Sequence, residues 1–266
     1  MTQPVGDRWA AGAAYENYMG RWSRLLGRAF LGWLHADHER HWLEVGCGTG
    51  ALTGGICRLS DPSSVVACEP SAPFIEYAER NVADPCVSFV QAGAAALPSR
   101  DGGFDVIVSG LVLNFIPEIE AALRAMRERA RSGGLVAAYV WDYSGGVEFL
   151  HHFWAEATAL DEAAGELDES RRFGQWKEPM LEALFRAAGL DQVQTAPVEI
   201  ATQFENFDDY WRPFLGGTGP APSYVASLDP IRRDKLRDRL RERLGAHGDG
   251  PIRLGARASA VRGVAT

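Results

Sequence analysis

Lysine is nearly missing from this chain. Only Lys177 and Lys235 occur, so arginine supplies 25 of the 27 basic residues. Codon usage accounts for that bias, and it singles out no function. The 27 bases face 35 acids, which leaves a net charge of −8. That balance excludes a broad electrostatic grip on nucleic acid or on an anionic membrane. Cysteine is scarce too. Cys47, Cys57, Cys68 and Cys86 form no C-x-x-C pair and show no zinc-ligand spacing. They read as small buried thiols of a reducing compartment, and no metal is expected. No run of 18 apolar residues exists, so no membrane span is expected. The polar start MTQPVGDRWA lacks the apolar stretch of a signal peptide. The expected location is the cytoplasm.

What is present is an ordinary globular composition, 46 % hydrophobic and 23 % charged over 266 residues, long enough to bury a core without staples. Between residues 13 and 35, Tyr15, Tyr18, Trp22, Leu25, Leu26, Ala29, Phe30 and Trp33 fall at steps of three and four, the spacing of one helical face. Short apolar runs at 41–45, 64–68, 86–91, 104–109 and 135–141 read as buried strands. They alternate with helical patterns at 51–59, 72–82 and 116–131. Such alternation predicts βαβ units and a parallel sheet covered on both faces. Further on, 147–160 and 178–188 read as helices and 191–200 as a strand. Residues 207–222 read as a loop-rich segment, and Asp229-Pro230 opens a helix to Leu244 whose charged face is solvated. Residues 252–261 alternate apolar and polar, as suits an antiparallel strand.

The informative segment is Trp42 to Gly50, WLEVGCGTG. A strand enters Gly46-x-Gly48-x-Gly50 and a helix follows, which lets an anionic ligand approach the backbone and the free N–H groups of a helix start. Glu69 ends the next strand, 23 residues after Gly46, where a carboxylate can accept both hydroxyl protons of a ribose. Glu44 interrupts an apolar strand, so it is expected to face a ligand. Two cofactor classes use this geometry. Gly46, Gly48 and Ala51 formally meet the dinucleotide fingerprint, which keeps an NAD(P)-dependent oxidoreductase open, but neither lysine has a tyrosine four residues before it. Glu44, Gly46, Gly48 and Gly50 also fit E-x-G-x-G-x-G.

With Glu69-Pro70-Ser71, Ala92 to Pro98 (AGAAALP) and Phe104 to Glu118 (FDVIVSGLVLNFIPE), the chain resembles the class I S-adenosylmethionine-dependent methyltransferases. It is most similar to the bacterial small-molecule type related to the ubiquinone/menaquinone-biosynthesis enzymes. The resemblance covers residues 15–142 well and the remainder as architecture. It implies a Rossmann-like three-layer α/β sandwich with a mostly parallel seven-stranded sheet, the last strand antiparallel, and a helical and loop cover. One methyltransferase domain would fill residues 1–266. Its parts would be a lid helix at about 13–35, a core at about 41–200 and 250–263, and an inserted cover at about 201–249. The cofactor would be S-adenosylmethionine, leaving S-adenosylhomocysteine. The resemblance implies that Gly46 and Gly48 back the methionine moiety and that Glu69 holds the ribose, with Glu44, Cys47 and Pro70 also among the cofactor-binding residues. It implies Ala94 and Ala95 against adenine, and Ser109, Gly110 and Leu111 along the sulfonium. Tyr18 and Arg21 would belong to the lid, with Arg21 pairing the cofactor carboxylate bidentately. One departure stands out: position 94 is alanine where relatives usually carry an acid for the adenine amino group, a loss of roughly 0.5–1.5 kcal/mol.

Methyl transfer from a sulfonium asks the protein mainly to position the acceptor and exclude water. A base, where the O, N or C acceptor needs one, would come from Tyr143, His151 or His152, with Asp142 and Glu148 behind them. Trp141, Tyr143, Phe173, Tyr210, Trp211 and Phe214 are candidate walls of an apolar acceptor pocket. The segment after Leu111 lacks the Asn/Asp-Pro-Pro-aromatic pattern of nucleobase-amino methylation. The expected partner is therefore a small molecule, with no nucleic acid and no membrane, acting on a monomer or homodimer. A cofactor-binding protein of this fold that does not methylate is the other reading the sequence leaves.

Overall fold

The structure is a computed structural model that describes residues 15–217, 219–246, 248 and 250–266. The polar start, residues 13 and 14 of the first helical pattern, and Thr218, His247 and Asp249 of the 201–249 segment lie outside them. The chain forms two compact units. A sheet unit comprises Trp22–Trp141, Trp176–Val198 and Ala258–Thr266; a helical unit comprises, among the described residues, 15–21, Asp142–Gln175 and Glu199–Arg257.

In the sheet unit, strands β1 (His41–Val45), β2 (Ser64–Glu69), β3 (Val87–Gln91), β4 (Phe104–Gly110) and β5 (Ala130–Trp141) alternate with helices. These are α1 (Arg21–Leu34), α2 (Ala51–Leu59), α3 (Ala72–Asn81) and α4 (Ile119–Arg129). Helix α7 (Glu178–Ala187) then leads to β6 (Leu190–Phe204), and β7 (Ile252–Ala265) ends the chain described. The seven strands order as β3-β2-β1-β4-β5-β7-β6. Strands β1 to β5 pair in parallel, while β7 lies antiparallel to β5, Trp141 opposite Ala258 through Leu135 opposite Val264. Strand β1 is paired on both edges, and its Trp42, Leu43 and Val45 are buried, as central parallel strands require; Glu44 is the charged residue among them. The order reverses between β1 and β4, and α/β sheets carry their ligands at the carboxyl ends of strands beside such a reversal.

Three boundaries depart from the sequence pattern for visible reasons. Before α1 the chain makes a π-turn at Glu16–Gly20, where the Glu16 carboxylate fills the space a side chain at Gly20 would need. Helix α4 stops at Arg129 because Ala130 already pairs with Phe104, ahead of a register shift between Phe104 and Val106. Strand β6 extends well past 200 as an edge strand, the one sheet position that tolerates Pro197.

The helical unit holds α5 (Glu148–Leu160), α6 (Glu169–Phe173), α8 (Phe207–Trp211), α9 (Pro220–Ser227) and α10 (Pro230–Arg243). The 207–222 segment is thus more helical than its glycines and prolines suggest. Asn206 caps α8 by accepting from the Asp209 N–H at 3.0 Å, and Pro220 occupies the first turn of α9, where a missing N–H costs nothing. Asp229 caps α10 through the Arg232 N–H at 2.9 Å. Arg239 and Arg243 of α10 both donate to Glu156 of α5, at 2.6 and 3.0 Å.

Candidate functional site

The Gly46–Gly50 loop sits at the carboxyl end of β1. Both Gly46 and Cys47 donate their N–H to the Cys68 carbonyl at the end of β2, at 2.8 and 3.0 Å. These two hydrogen bonds to one carbonyl set the sharp exit from the strand. Gly46 has φ +76°, and a Cβ there would come within 2.7 Å of Val112. Gly48 also lies in the left-handed region, at φ +53°, but a Cβ there would meet nothing within 4 Å. Here the backbone faces open space, room that a glycine leaves free.

Glu69 closes the other side. One carboxylate oxygen accepts the Gly48 N–H at 3.2 Å and the other accepts the Ser71 N–H at 3.0 Å. Two backbone donors hold the group in one orientation at the end of β2, 8 % exposed. Burial raises its pKa, and the two N–H bonds pull the other way. Beyond Glu69 the chain turns through Pro70, whose carbonyl accepts from the Gln91 side chain. Ala94 is half-buried and Ala95 exposed, in a turn closed by the Ala96 N–H on the Gly93 carbonyl at 3.0 Å. After β4, Leu111 takes φ +62°, a conformation that costs a branched side chain about 1 kcal/mol or more. Its N–H is tied to the Tyr139 carbonyl at 2.8 Å. Asn114 nearby, for which no role was expected, has a buried Nδ2 with no hydrogen-bond partner among the described residues.

Other expected residues take inward roles. The Glu44 carboxylate accepts from the Thr53 hydroxyl of α2 at 2.6 Å and is 1 % exposed. Burial pushes it up to about 7, against the Thr53 bond and with the help of Glu69. Ser109 is fully buried and donates to the Val45 carbonyl at 2.9 Å, which pins β4 to β1. Cys47 is buried, and desolvation, then Glu44 and Glu69, hold its thiol far above the usual range. Trp141 is likewise buried. An oriented carboxylate and an open glycine face stand together here, an arrangement that suits a ribose diol.

In the helical unit, Tyr18 is buried between Phe149 and Phe214, with ring centroids 6.4 and 5.8 Å away. Its hydroxyl is buried without a hydrogen-bond partner among the described residues. Burial, followed by Glu169, keeps it protonated. Arg21 pairs with Asp209 at 3.1 Å and lies 4.8 Å over the Phe204 ring. Tyr210, Trp211 and Phe214 are buried. Phe214 stacks on Phe153 at 4.5 Å, and Tyr210 donates to the Phe149 carbonyl at 2.9 Å; together they form the core of this unit. Tyr143 packs on Phe173 at 5.6 Å. His152 accepts from Arg243 at 3.0 Å, and burial followed by that guanidinium lowers its pKa. His151 is exposed and lines a cavity of about 570 Å³ with Ser144, Trp154, Asp168 and Ser170. Asp142 binds Arg257 at 2.7 Å. Sequence reasoning passed over Glu169. It is wholly buried, accepts from the Trp154 indole N–H, and is pushed up to about 7 by desolvation.

Residues 43–138 match a family described as a methyltransferase domain. That segment, which holds the loop–carboxylate pair, is similar to the methyltransferase domains of S-adenosylmethionine-dependent enzymes, including those of ubiquinone/menaquinone biosynthesis. The ubiquinone/menaquinone biosynthesis C-methyltransferase UbiE of Hahella chejuensis is 34 % identical over 97 residues, 35 % of this chain and 39 % of that protein. The probable tRNA methyltransferase 9B of Homo sapiens is 31 % identical over 101 residues, 37 % of this chain and 20 % of that protein. The chain thus spans well under half the length of these curated relatives. The phosphoethanolamine N-methyltransferase 2 of Haemonchus contortus, solved with phosphomonomethylethanolamine and S-adenosylhomocysteine, shares the fold with a TM-score of 0.58 at 14 % identity, over 95 % of this chain and 56 % of that one.

Proposed function

We propose that this protein transfers a methyl group from S-adenosylmethionine to a small-molecule acceptor. The observation that carries the reading is the Glu69 carboxylate, held by the Gly48 and Ser71 N–H groups beside a glycine whose open face meets no protein atom. Glu69 would accept from the ribose hydroxyls, and Gly46 to Gly48 would lie along the amino-acid end. Ala94 and Ala95 would flank the adenine. The cofactor supplies an already activated methyl group on a positive sulfur, so the chain's task is to bind, orient and dehydrate. The Glu69 carboxylate beside the loop favours a cationic ligand electrostatically.

A base, where the acceptor needs one, would come from Tyr143, His151 or His152. One relative is named for tRNA, but the net charge of −8 opposes a polyanion, which supports the small acceptor. Calorimetry with S-adenosylmethionine, S-adenosylhomocysteine and NADH tests the cofactor. Binding of the first two and not the third is expected, and NADH binding alone would overturn the reading. A labelled-methyl assay against a small-molecule extract and against bulk tRNA then tests the acceptor. Label entering tRNA alone would overturn the small-molecule assignment, and label entering neither would favour a binding protein without transferase activity.

A further inference from the structure

Outside the glycine loop, the sheet unit brings together three ligating side chains that play no part in the function proposed above. Cys57 lies in the last turns of α2, while Asp84 and Cys86 lie between α3 and β3. Their sulfur and carboxylate oxygen atoms all fall within 4.8 Å of one another. All three residues are partly buried: enough to hold an ion, and open enough for one to arrive from water. The backbone that carries two of them is pinned. The Val65 N–H of β2 donates to the Cys86 carbonyl at 2.8 Å, and the Val87 N–H donates to the Asp84 carbonyl at 3.0 Å. The Cys86 N–H also donates to the Asp84 carboxylate at 3.0 Å, which turns that carboxylate toward the cysteine.

The charges make the arrangement uneven. The ionisable groups that act on Cys57 are Cys86, Asp84 and Glu44, all anions when ionised. Those that act on Cys86 are Asp84 and Cys57. Three would-be anions therefore converge with no cation among the groups acting on either thiol. A soft divalent cation is the species that matches two sulfurs and one oxygen at this spacing.

We propose that Cys57, Asp84 and Cys86 bind one thiophilic divalent cation, with Zn²⁺ as the reference ion, through two thiolates and one carboxylate. Water completes the tetrahedron. Zinc–sulfur and zinc–oxygen bonds of about 2.3 and about 2.0 Å require these side chains to close up by roughly an ångström. Binding converts M²⁺, two thiols and one carboxylate into a complex of charge −1 and releases two protons to solvent, so nothing is oxidised or reduced. The site ties α2, which begins where the Gly46–Gly50 loop ends, to the segment ahead of β3. It is structural in character, since none of its ligands belongs to the proposed cofactor site.

The experiment uses the whole chain, stripped with a chelator under reducing conditions and titrated with Co²⁺. One equivalent should produce the near-ultraviolet thiolate-to-cobalt charge-transfer band, and one equivalent of Zn²⁺ should abolish it. The band should be lost in the Cys57→Ser/Cys86→Ser variant, and Asp84→Asn should weaken cobalt binding at least about tenfold. A second measurement needs no variant. One equivalent of Zn²⁺ should slow alkylation of Cys57 and Cys86 about tenfold or more, leave Cys47 and Cys68 unchanged, and be reversed by chelator. Three results would overturn the site: no charge-transfer band at stoichiometric cobalt, a band that survives the double substitution, or unprotected thiols. A Cys57–Cys86 disulfide that forms equally fast with and without Zn²⁺ would also overturn it, because bound thiolates are protected. Calorimetry with S-adenosylmethionine on the same samples keeps failure of the metal site distinct from failure of the methyltransferase reading.

Discussion

The Gly48 amide points at the Glu69 carboxylate, 3.2 Å away, so the loop after β1 and the end of β2 hold each other in place. The hydrogen bond fixes the carboxylate oxygen on the loop side and leaves the side chain's remaining acceptor capacity for a ligand. Glu69→Ala should weaken S-adenosylmethionine binding by about 1–3 kcal/mol, read by calorimetry. Glu69→Gln should recover only part of it. An unchanged affinity in Glu69→Ala would remove the ribose role.

The two innermost glycines of the loop should respond differently to alanine. At Gly46 the new Cβ would strike Val112, whereas at Gly48 it would meet open space. Both pay the left-handed backbone penalty of about 1–2 kcal/mol, and Gly46→Ala adds overpacking of about 1–3 kcal/mol. Denaturant unfolding should therefore rank Gly46→Ala as clearly the less stable, and Val112→Ala should restore part of its loss. Equal losses at the two positions would contradict the geometry.

Stability should fall as pH rises through the weakly acidic range. Glu44 and Glu169 are held near 7 in the folded chain against an ordinary 4.5. The unfolded chain gives up these protons first. The stabilisation from the neutral forms is therefore complete below about pH 4.5 and gone once pH passes about 7, on the order of 3 kcal/mol per group at most. Urea unfolding at pH 5 and pH 7.5 measures the drop. Glu44→Gln and Glu169→Gln should each flatten it, and a flat wild-type curve across this window would refute the burial assignment.

Within the helical unit, Tyr210→Phe deletes the hydroxyl that satisfies the Phe149 carbonyl at 2.9 Å. The ring stays in place beside Phe204 and Phe214, so the loss isolates the hydrogen bond. It should cost about 1–3 kcal/mol, visible as a lower denaturation midpoint with an unchanged slope. A changed slope would signal lost cooperativity instead.

Much of the sheet was legible because its information is local. The runs at His41–Val45, Ser64–Glu69 and Phe104–Gly110 are mostly apolar, as strands covered on both faces tend to be, and Glu69 stands at the distance from Gly46 that a second strand's end dictates. What escaped the sequence depends on partners far along the chain. Glu44 in an apolar strand looks like a ligand-facing acid until Thr53 is seen to supply its donor. Arg21 meets Asp209, 188 residues away, a pairing no periodicity announces. Cys57, Asp84 and Cys86 have no motif spacing, because α3 intervenes between the helix and the loop that bring them together. Residues 207–222 hid two helices because their signals, Asn206 and Pro220, sit among residues that usually mark loops.

The antiparallel pairing of β5 with β7 also dictates an order of events. Ala138 finds its partner in Val261, 123 residues later, so throughout the synthesis of α5 to α10 one edge of β5 has no strand beside it. Contacts so distant in sequence are slow to close, and an unpaired apolar edge invites pairing with another chain. The nascent polypeptide is therefore most exposed to aggregation after residue 141 has emerged and before residue 258 has, a window in which a chaperone has the most to protect.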